Sequence, residues 1–298
     1  MNQKFKNVLI IFTVLLVGIT SLPAQSKNTE FEKLSSGILE TLQAFYPVRS
    51  TEMGIHLYDH RFADYANSSV DKFIEQLTIF EKKLYNYKGA NLSDHDRLNL
   101  ELIKSNVDAA LLDTKRIRWH KKSPQLYVDE AVNGIYFLML SQHAPLSERL
   151  YSILGRMKEV PKLFRTAEKN ISNPPQVYVS AALESLESVM NFYKQVTAEL
   201  SKQFPDKADE IIKTSQFAQE AMNDFSIYLS EIKPGDDKSF AIGKENFDYK
   251  LKHEYFLDFD SDSLLKIGQA LLTESQKAYS EYSAYAKANP QTGADSVF

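Results

Sequence analysis

The sequence predicts an all-α fold, an array of about eight or nine long amphipathic helices joined by short links. Three observations carry that expectation. Apolar residues recur at steps of three and four along most of the chain, the spacing that lines one face of a helix. Glycine and proline are scarce, 10 each in 298 residues, where many short strands and turns would need more. The prolines and capping residues also fall between the periodic stretches, not inside them, with one exception at Pro161.

The first 25 residues read as an export signal. Lys4 and Lys6 make a basic start, Val8 to Leu22 is largely apolar, and Pro23-Ala24-Gln25-Ser26 offers a cleavage site. An apolar run of about 15 residues falls short of the roughly 20 that span a bilayer, so cleavage is expected over retention as an anchor. The protein is therefore expected in the periplasm or outside the cell, with residues 26–298 as its mature helical domain. Loss of residues 1–25 removes two lysines and no acids, leaving 33 basic and 39 acidic side chains and a net charge of −6. With no basic stripe, nucleic acid is not an expected partner, nor is stable membrane insertion after cleavage. The absence of cysteine excludes a thiolate zinc site, a cysteine nucleophile, disulfides and a lipid-modified cysteine.

Along the mature chain, Thr29-x-x-Glu32 is a capping box, and Phe31, Leu34, Ile38, Leu42 and Phe45 share the face of the helix that follows. Pro47 ends it. Arg49 to Asn67 has no clear period and reads as an irregular connection or a short helix. Val70, Phe73, Ile74, Leu77, Phe80 and Leu84 define a second helix, closed by Gly89. Ser93 caps a third, with Asp94 and Asp96 in its first turn; its apolar face is read as Leu98, Leu102, Val107 and Leu111. That helix ends in the basic run from Lys115 to Lys122, before Pro124. Val128 to Leu140 is nearly all apolar, a buried helix or locally a strand. Pro145 opens a helix with Leu150, Ile153, Leu154 and Met157 inward, and Pro161 is expected to break or kink it. Further helices follow from Pro174-Pro175 to about Gln203, and from Pro205-Asp206 with Ile211, Ile212, Phe217, Met222, Phe225 and Leu229 inward. Lys233 to Ser239 is the clearest loop. A segment from Phe247 to Phe256 and a last helix from about Ser261 to Ala288 complete the series.

In this order the segments resemble the N-terminal half of the bacterial domain-of-unknown-function 885 family. The match is carried by Tyr46-Pro47-Val48-Arg49-Ser50-Thr51-Glu52-Met53-Gly54-Ile55-His56-Leu57-Tyr58-Asp59, by Arg97 to Ile103, and by Ser123-Pro124-Gln125-Leu126-Tyr127. Arg149 to Asn170, with Leu154-Gly155-Arg156-Met157, and Ile242-Gly243-Lys244-Glu245-Asn246-Phe247 extend it, so that it covers roughly residues 40–288. The resemblance implies zinc metallopeptidases of the gluzincin type, with peptide as substrate. The family's metal signature, His-Glu-x-x-Pro-Gly-His, is not present in this sequence. The one His-Glu pair is His253-Glu254, and Leu257 stands where a second ligand would fall. No metal-binding or catalytic residue is therefore carried over. Zinc is expected only for full-length family members, and the chain by itself is expected to be inactive, a fragment-like N-terminal portion of a hydrolase. The alternative is an exported helical binding or scaffold protein without catalytic activity.

Among candidate residues, His56 and His60 have the i,i+4 spacing of a helical metal pair, with Asp59 between them, but Gly54 precedes them and no Glu follows His56. A polar loop lining a cleft is the better reading, and His56, Asp59, His60 and Arg61 are the expected cleft residues. Asp94, His95 and Asp96 are explained by a solvated helix start. His120 and His143 have no acidic neighbours in sequence, and surface or capping roles are expected. Tyr279, Tyr282 and Tyr285 recur along the last helix as one amphipathic face. If helices beyond this chain are missing, Leu264, Leu265, Ile267, Leu271, Tyr279 and Tyr282 would be left uncovered and open to self-association. No Gly-x-Ser-x-Gly elbow or Gly-rich phosphate loop occurs.

Overall fold

The structure, a computed structural model, describes residues 29–87 and 92–289. The expected signal peptide and the closing Gly89 lie outside them. The described residues form α-helices and no strand. In chain order these are α1 (Thr29–Phe45), α2 (Pro47–Glu52), α3 (Asn67–Tyr85), α4 (Asp94–Leu111), α5 (Trp119–Lys122), α6 (Gln125–Leu140), α7 (Leu146–Asn170), α8 (Gln176–Gln203), α9 (Ala208–Glu231), α10 (Lys244–His253) and α11 (Ser261–Ala288). Nine of the eleven are ten residues or longer, in keeping with the periodicity.

Two apolar cores organise the helices. In the larger, α6, α7, α8 and α9 pack together through side chains such as Tyr127, Ile135, Met157, Phe164, Leu186 and Phe225. In the smaller, α1, α3 and α4 meet through Phe31, Ile38, Phe73, Leu77 and Val107. Phe45 and Ile74 touch both cores, and the Phe45 ring stacks on Phe73 at 3.7 Å between centroids. Buried polar groups cross-link the layers. The Tyr127 hydroxyl donates to the His120 carbonyl at 2.6 Å, and the Asn170 amide donates to the Tyr65 carbonyl at 2.7 Å. On α4, the buried Asp108 accepts from the Tyr85 hydroxyl at 2.6 Å and lies 3.5 Å from His253, which ties α10 to α3 and α4.

Several local expectations hold and several change. Ser93 caps α4 by accepting from the Asp96 amide at 3.1 Å. The inward face of α4, however, is Leu100, Ile103, Val107, Ala110 and Leu111, while Leu98 and Leu102 are exposed. The buried set keeps steps of three and four without a gap; the expected one required a step of five between Leu102 and Val107. On α9, Ile211, Met222, Phe225 and Leu229 are buried, but Ile212 and Phe217 are exposed around a shallow depression. Pro161 does not break α7, which runs unbroken for 25 residues. The lost hydrogen bond there is outweighed by burial of Met157, Val160, Leu163 and Phe164 on either side of the ring.

The last helix differs from all the long ones before it. None of the 28 residues of α11 is buried. Its main neighbour is α10, joined through Lys244, which reaches Ser261 at 2.9 Å and Asp262 at 3.3 Å. Leu265, Ile267, Leu271, Tyr279 and Tyr282 are exposed, as expected for an uncovered stripe, and Leu272 joins them, whereas Leu264 is half-buried.

Beside the larger core, the half-buried Glu130 carries an unusual burden. Its Oε1 accepts from the Tyr65 hydroxyl at 3.1 Å, and its Oε2 is buried without a hydrogen-bond partner among the described residues. Burial pushes its carboxyl from an ordinary 4.5 up to about 7, against the pull of Tyr65, Arg156 and the Ala63 backbone. An acid with a raised folded pKa contributes its stability below the unfolded pKa and loses it as pH rises through the folded one. Glu130→Gln should therefore gain stability relative to the parent between pH 5 and pH 8, by about 2–3 kcal/mol. Urea denaturation of both proteins at the two pH values measures this. A stability difference that stays constant with pH would contradict it.

Candidate functional site

Pro47 stands at the first helical position of α2, where its missing N–H costs nothing. Gly54, at φ +81°, ends that helix in a backbone conformation that other residues adopt only with strain. The Gly54 amide donates to the Thr51 carbonyl at 3.0 Å and the Ile55 amide to the Ser50 carbonyl at 2.8 Å, so the helix end is satisfied before the loop begins. The loop from Ile55 to Arg61 then folds back against α7. Gly155 on α7 makes that approach possible. A Cβ there would lie 2.9 Å from the His60 carbonyl oxygen.

Beside Gly155, the guanidinium of Arg156 is wholly buried. Its Nε donates to the Arg61 carbonyl at 3.2 Å and its Nη1 to the Gly134 carbonyl on α6 at 2.7 Å. Its Nη2 donates to the Thr51 hydroxyl at 2.6 Å and to the Pro47 carbonyl at 3.2 Å. One side chain thus joins α2, the loop, α6 and α7. Burial holds Arg156 down at about 10, against the opposing pull of Asp59 and Glu130, and it remains a cation at neutral pH.

Thr51 passes the interaction on. Its hydroxyl donates to Oδ1 of the buried Asp59 at 2.6 Å. The other carboxylate oxygen, Oδ2, lies 2.8 Å from Nδ1 of His56 and 3.9 Å from Nε2 of His143. The two imidazoles stack with centroids 3.4 Å apart and planes 11° from parallel. Nδ1 of His143 is 2.7 Å from the Ser141 hydroxyl. Arg149 fixes the segment that carries His143, donating to the carbonyls of Leu138, Met139 and Ala144. Burial and the neighbouring His56 ring hold the His143 imidazole below its ordinary pKa, with Asp59 opposing.

The four residues expected to line a cleft therefore divide. His56 and Asp59 enter a polar cluster with His143, whose acidic partner comes from a distant loop and not from its own neighbourhood in sequence. His60 is exposed, its backbone against Gly155, and takes no part in the cluster. Arg61 donates to the Ala44 carbonyl at 2.9 Å, stacks over Tyr58 at 4.8 Å, and lines a depression between α1 and α3. The i,i+4 pair of histidines is thus not the pair that the fold brings together.

A groove of about 640 Å³ runs beside the same loop. Leu42, Tyr46 and Ala110 form part of an apolar wall; Arg49, Asp113 and Glu254 place charge along it. Met53 and Ile55, from the start of the loop, line it as well. Burial raises the pKa of Asp113, opposed by Lys250 at 3.8 Å and by the Trp119 indole, which donates to it at 3.0 Å. The residues of this chain do not fit the zinc signature that the resemblance implies. His253 faces Asp108, Glu254 pairs with Lys250 at 2.7 Å, and Leu257 follows.

If Gly155 is required for the approach of the loop, Gly155→Ala should destabilise the protein by about 1–3 kcal/mol. The gain in helix propensity of about 1 kcal/mol predicts the opposite sign. Urea denaturation of the two proteins decides between them, and an equally or more stable variant would contradict the close approach.

Comparison with the curated proteins gives no match. Among solved structures, the chain resembles one described as "a putative lipoprotein of unknown function from Shewanella oneidensis", with a TM-score of 0.70 and 18% sequence identity over 87% of this chain and 48% of that one. That likeness shows a shared helical fold, and the chain spans about half the length of the solved relative. The family model described as bacterial protein of unknown function (DUF885) matches residues 47–294, from the first residue of α2 to beyond the end of α11, and the chain belongs to that family.

Proposed function

We propose that this chain is the N-terminal helical portion of an exported metallopeptidase-like hydrolase, and that it supplies one wall of a peptide-binding cleft. The observation that carries this reading is α11. A 28-residue helix with no buried residue and an apolar, tyrosine-rich stripe is unusual for a self-sufficient domain, and such a stripe marks an interface. The solved relative, twice as long in matched terms, supports the same view. The groove beside α2 and α4 suits an extended peptide, with apolar floor for side chains and Arg49, Asp113 and Glu254 for main-chain and terminal polar groups. The metal-dependent step would belong to residues that this chain does not contain, which fits the absence of the His-Glu-x-x-Pro-Gly-His signature.

Export rests on the N-terminal pattern. The solved relative, described as a putative lipoprotein, supports a non-cytoplasmic location, and a periplasmic or extracellular protein is the reading we favour. No helix among the described residues is long and apolar enough to cross a membrane. A second reading, an exported helical binding or scaffold protein, is favoured by the two well-packed cores, which do not need α11.

The two readings separate on the purified chain of residues 26–298. The first expects self-association in sedimentation velocity and binding of a hydrophobic dye, both reduced several-fold by the double substitution Leu271→Glu and Leu272→Glu, and no cleavage of unfolded casein. A monomer without dye binding would favour the scaffold. Cleavage of casein by the purified chain would overturn the assignment of catalysis to residues outside it.

A further inference from the structure

We propose that His56, Asp59 and His143 form a binding site for a divalent transition-metal ion of the zinc type, one that clips the loop after α2 to the loop before α7. The site is separate from the family's signature and needs no residue outside the described chain, so it stands whether or not the hydrolase reading does. One ligand atom from each of the three side chains lies within 4.8 Å of the other two. Three donors around one zinc ion at about 2.0–2.2 Å are roughly 3.5 Å apart, so the gap to close is on the order of an ångström. The stacked imidazoles must also turn so that their in-plane lone pairs converge, and the exposed His143 side chain can make that rotation without moving the backbone that Arg149 holds.

The surroundings resemble those of a built ligand set more than of a chance contact. Metal-bound carboxylates and imidazoles are usually held by outer hydrogen bonds that fix their orientation. Asp59 has that support: Oδ1 is taken by Thr51, which is itself held by the buried Arg156, and Oδ2 is left toward the two histidines. His143 has it too, with Nδ1 on the Ser141 hydroxyl and Nε2 toward Asp59. The Arg156 cation stands behind Thr51, so its charge steadies the carboxylate without occupying the oxygen that faces the imidazoles.

The donor set selects the ion. Two imidazole nitrogens and one carboxylate oxygen, with no thiolate, suit zinc and neighbouring divalent ions, while magnesium and calcium favour all-oxygen sites. Three protein ligands leave a fourth position for water or another ligand on the exposed side of His143.

Isothermal titration of the metal-free chain with zinc sulfate tests the proposal, with inductively coupled plasma analysis of dialysed protein for stoichiometry. We expect one equivalent of zinc. His143→Ala and His56→Ala should each weaken binding by more than the roughly 10–100-fold typical of losing an outer partner, and Ser141→Ala by about that much. His60→Ala should leave affinity unchanged, since His60 is exposed and outside the cluster. Zinc should also raise the melting temperature of the parent and not of His143→Ala, and the exposed setting of His143 means that this variant folds. Absence of stoichiometric binding in the parent would overturn the site. So would His143→Ala binding zinc as the parent does, or His60→Ala losing it, which would restore the i,i+4 pair; magnesium binding as tightly as zinc would overturn the choice of ion.

Discussion

The buried guanidinium of Arg156 is the constraint from which the functional end of this molecule is organised. A cation without solvent is costly unless its donors are matched, and here they meet three backbone carbonyls and one hydroxyl. Those acceptors come from α2, the loop that follows it and the distant α6. Each must sit where the rigid fork of an arginine can reach it, so the loop after α2 acquires one position. Lysine, with a single ammonium, could not hold so many planar acceptors at once. Gly155, one residue earlier, removes the side chain that would otherwise hold the loop away.

From that anchor a polar chain extends outward: Arg156 to Thr51, Thr51 to Asp59, Asp59 to His56 and His143. It runs from a fully buried group to a partly open one, so a rigid interior holds a polar cluster near the surface. The groove lies on the other side of α2, lined by residues of the same short helix and the start of the same loop. Anything that shifts α2 would move both. The two apolar cores serve as the frame, and Phe45 with Ile74 joins them beneath this region.

Much of the frame is legible in the sequence, because amphipathic helices announce themselves locally. The steps of three and four, the Ser93 cap and the prolines before α7 and α8 place most helices within a few residues. What is not legible is non-local. Nothing near His143 in sequence signals a carboxylate; Asp59 reaches it only because α6 and α7 fold back on the loop. Spacing alone pairs His56 with His60, and the fold separates them. Arg156 lies in a segment whose pattern resembles the family, yet its burial is invisible in a chain where arginine is ordinarily exposed. Pro161 shows the opposite error: local propensity predicts a break, and packing on both sides of the ring overrides it. The last helix has the periodicity of a buried one, and the described residues supply no cover for it.

If Arg156 specifies the position of the loop after α2, and not the stability of the whole fold alone, amide hydrogen exchange on Arg156→Met will show it. Amides of residues 50–63 and of the α6 turn around Gly134 should lose protection, while α8 and α9, which share the larger core and give the guanidinium no hydrogen bond, should keep theirs. Unchanged protection in residues 50–63 would contradict it, as would an equal loss across α8 and α9.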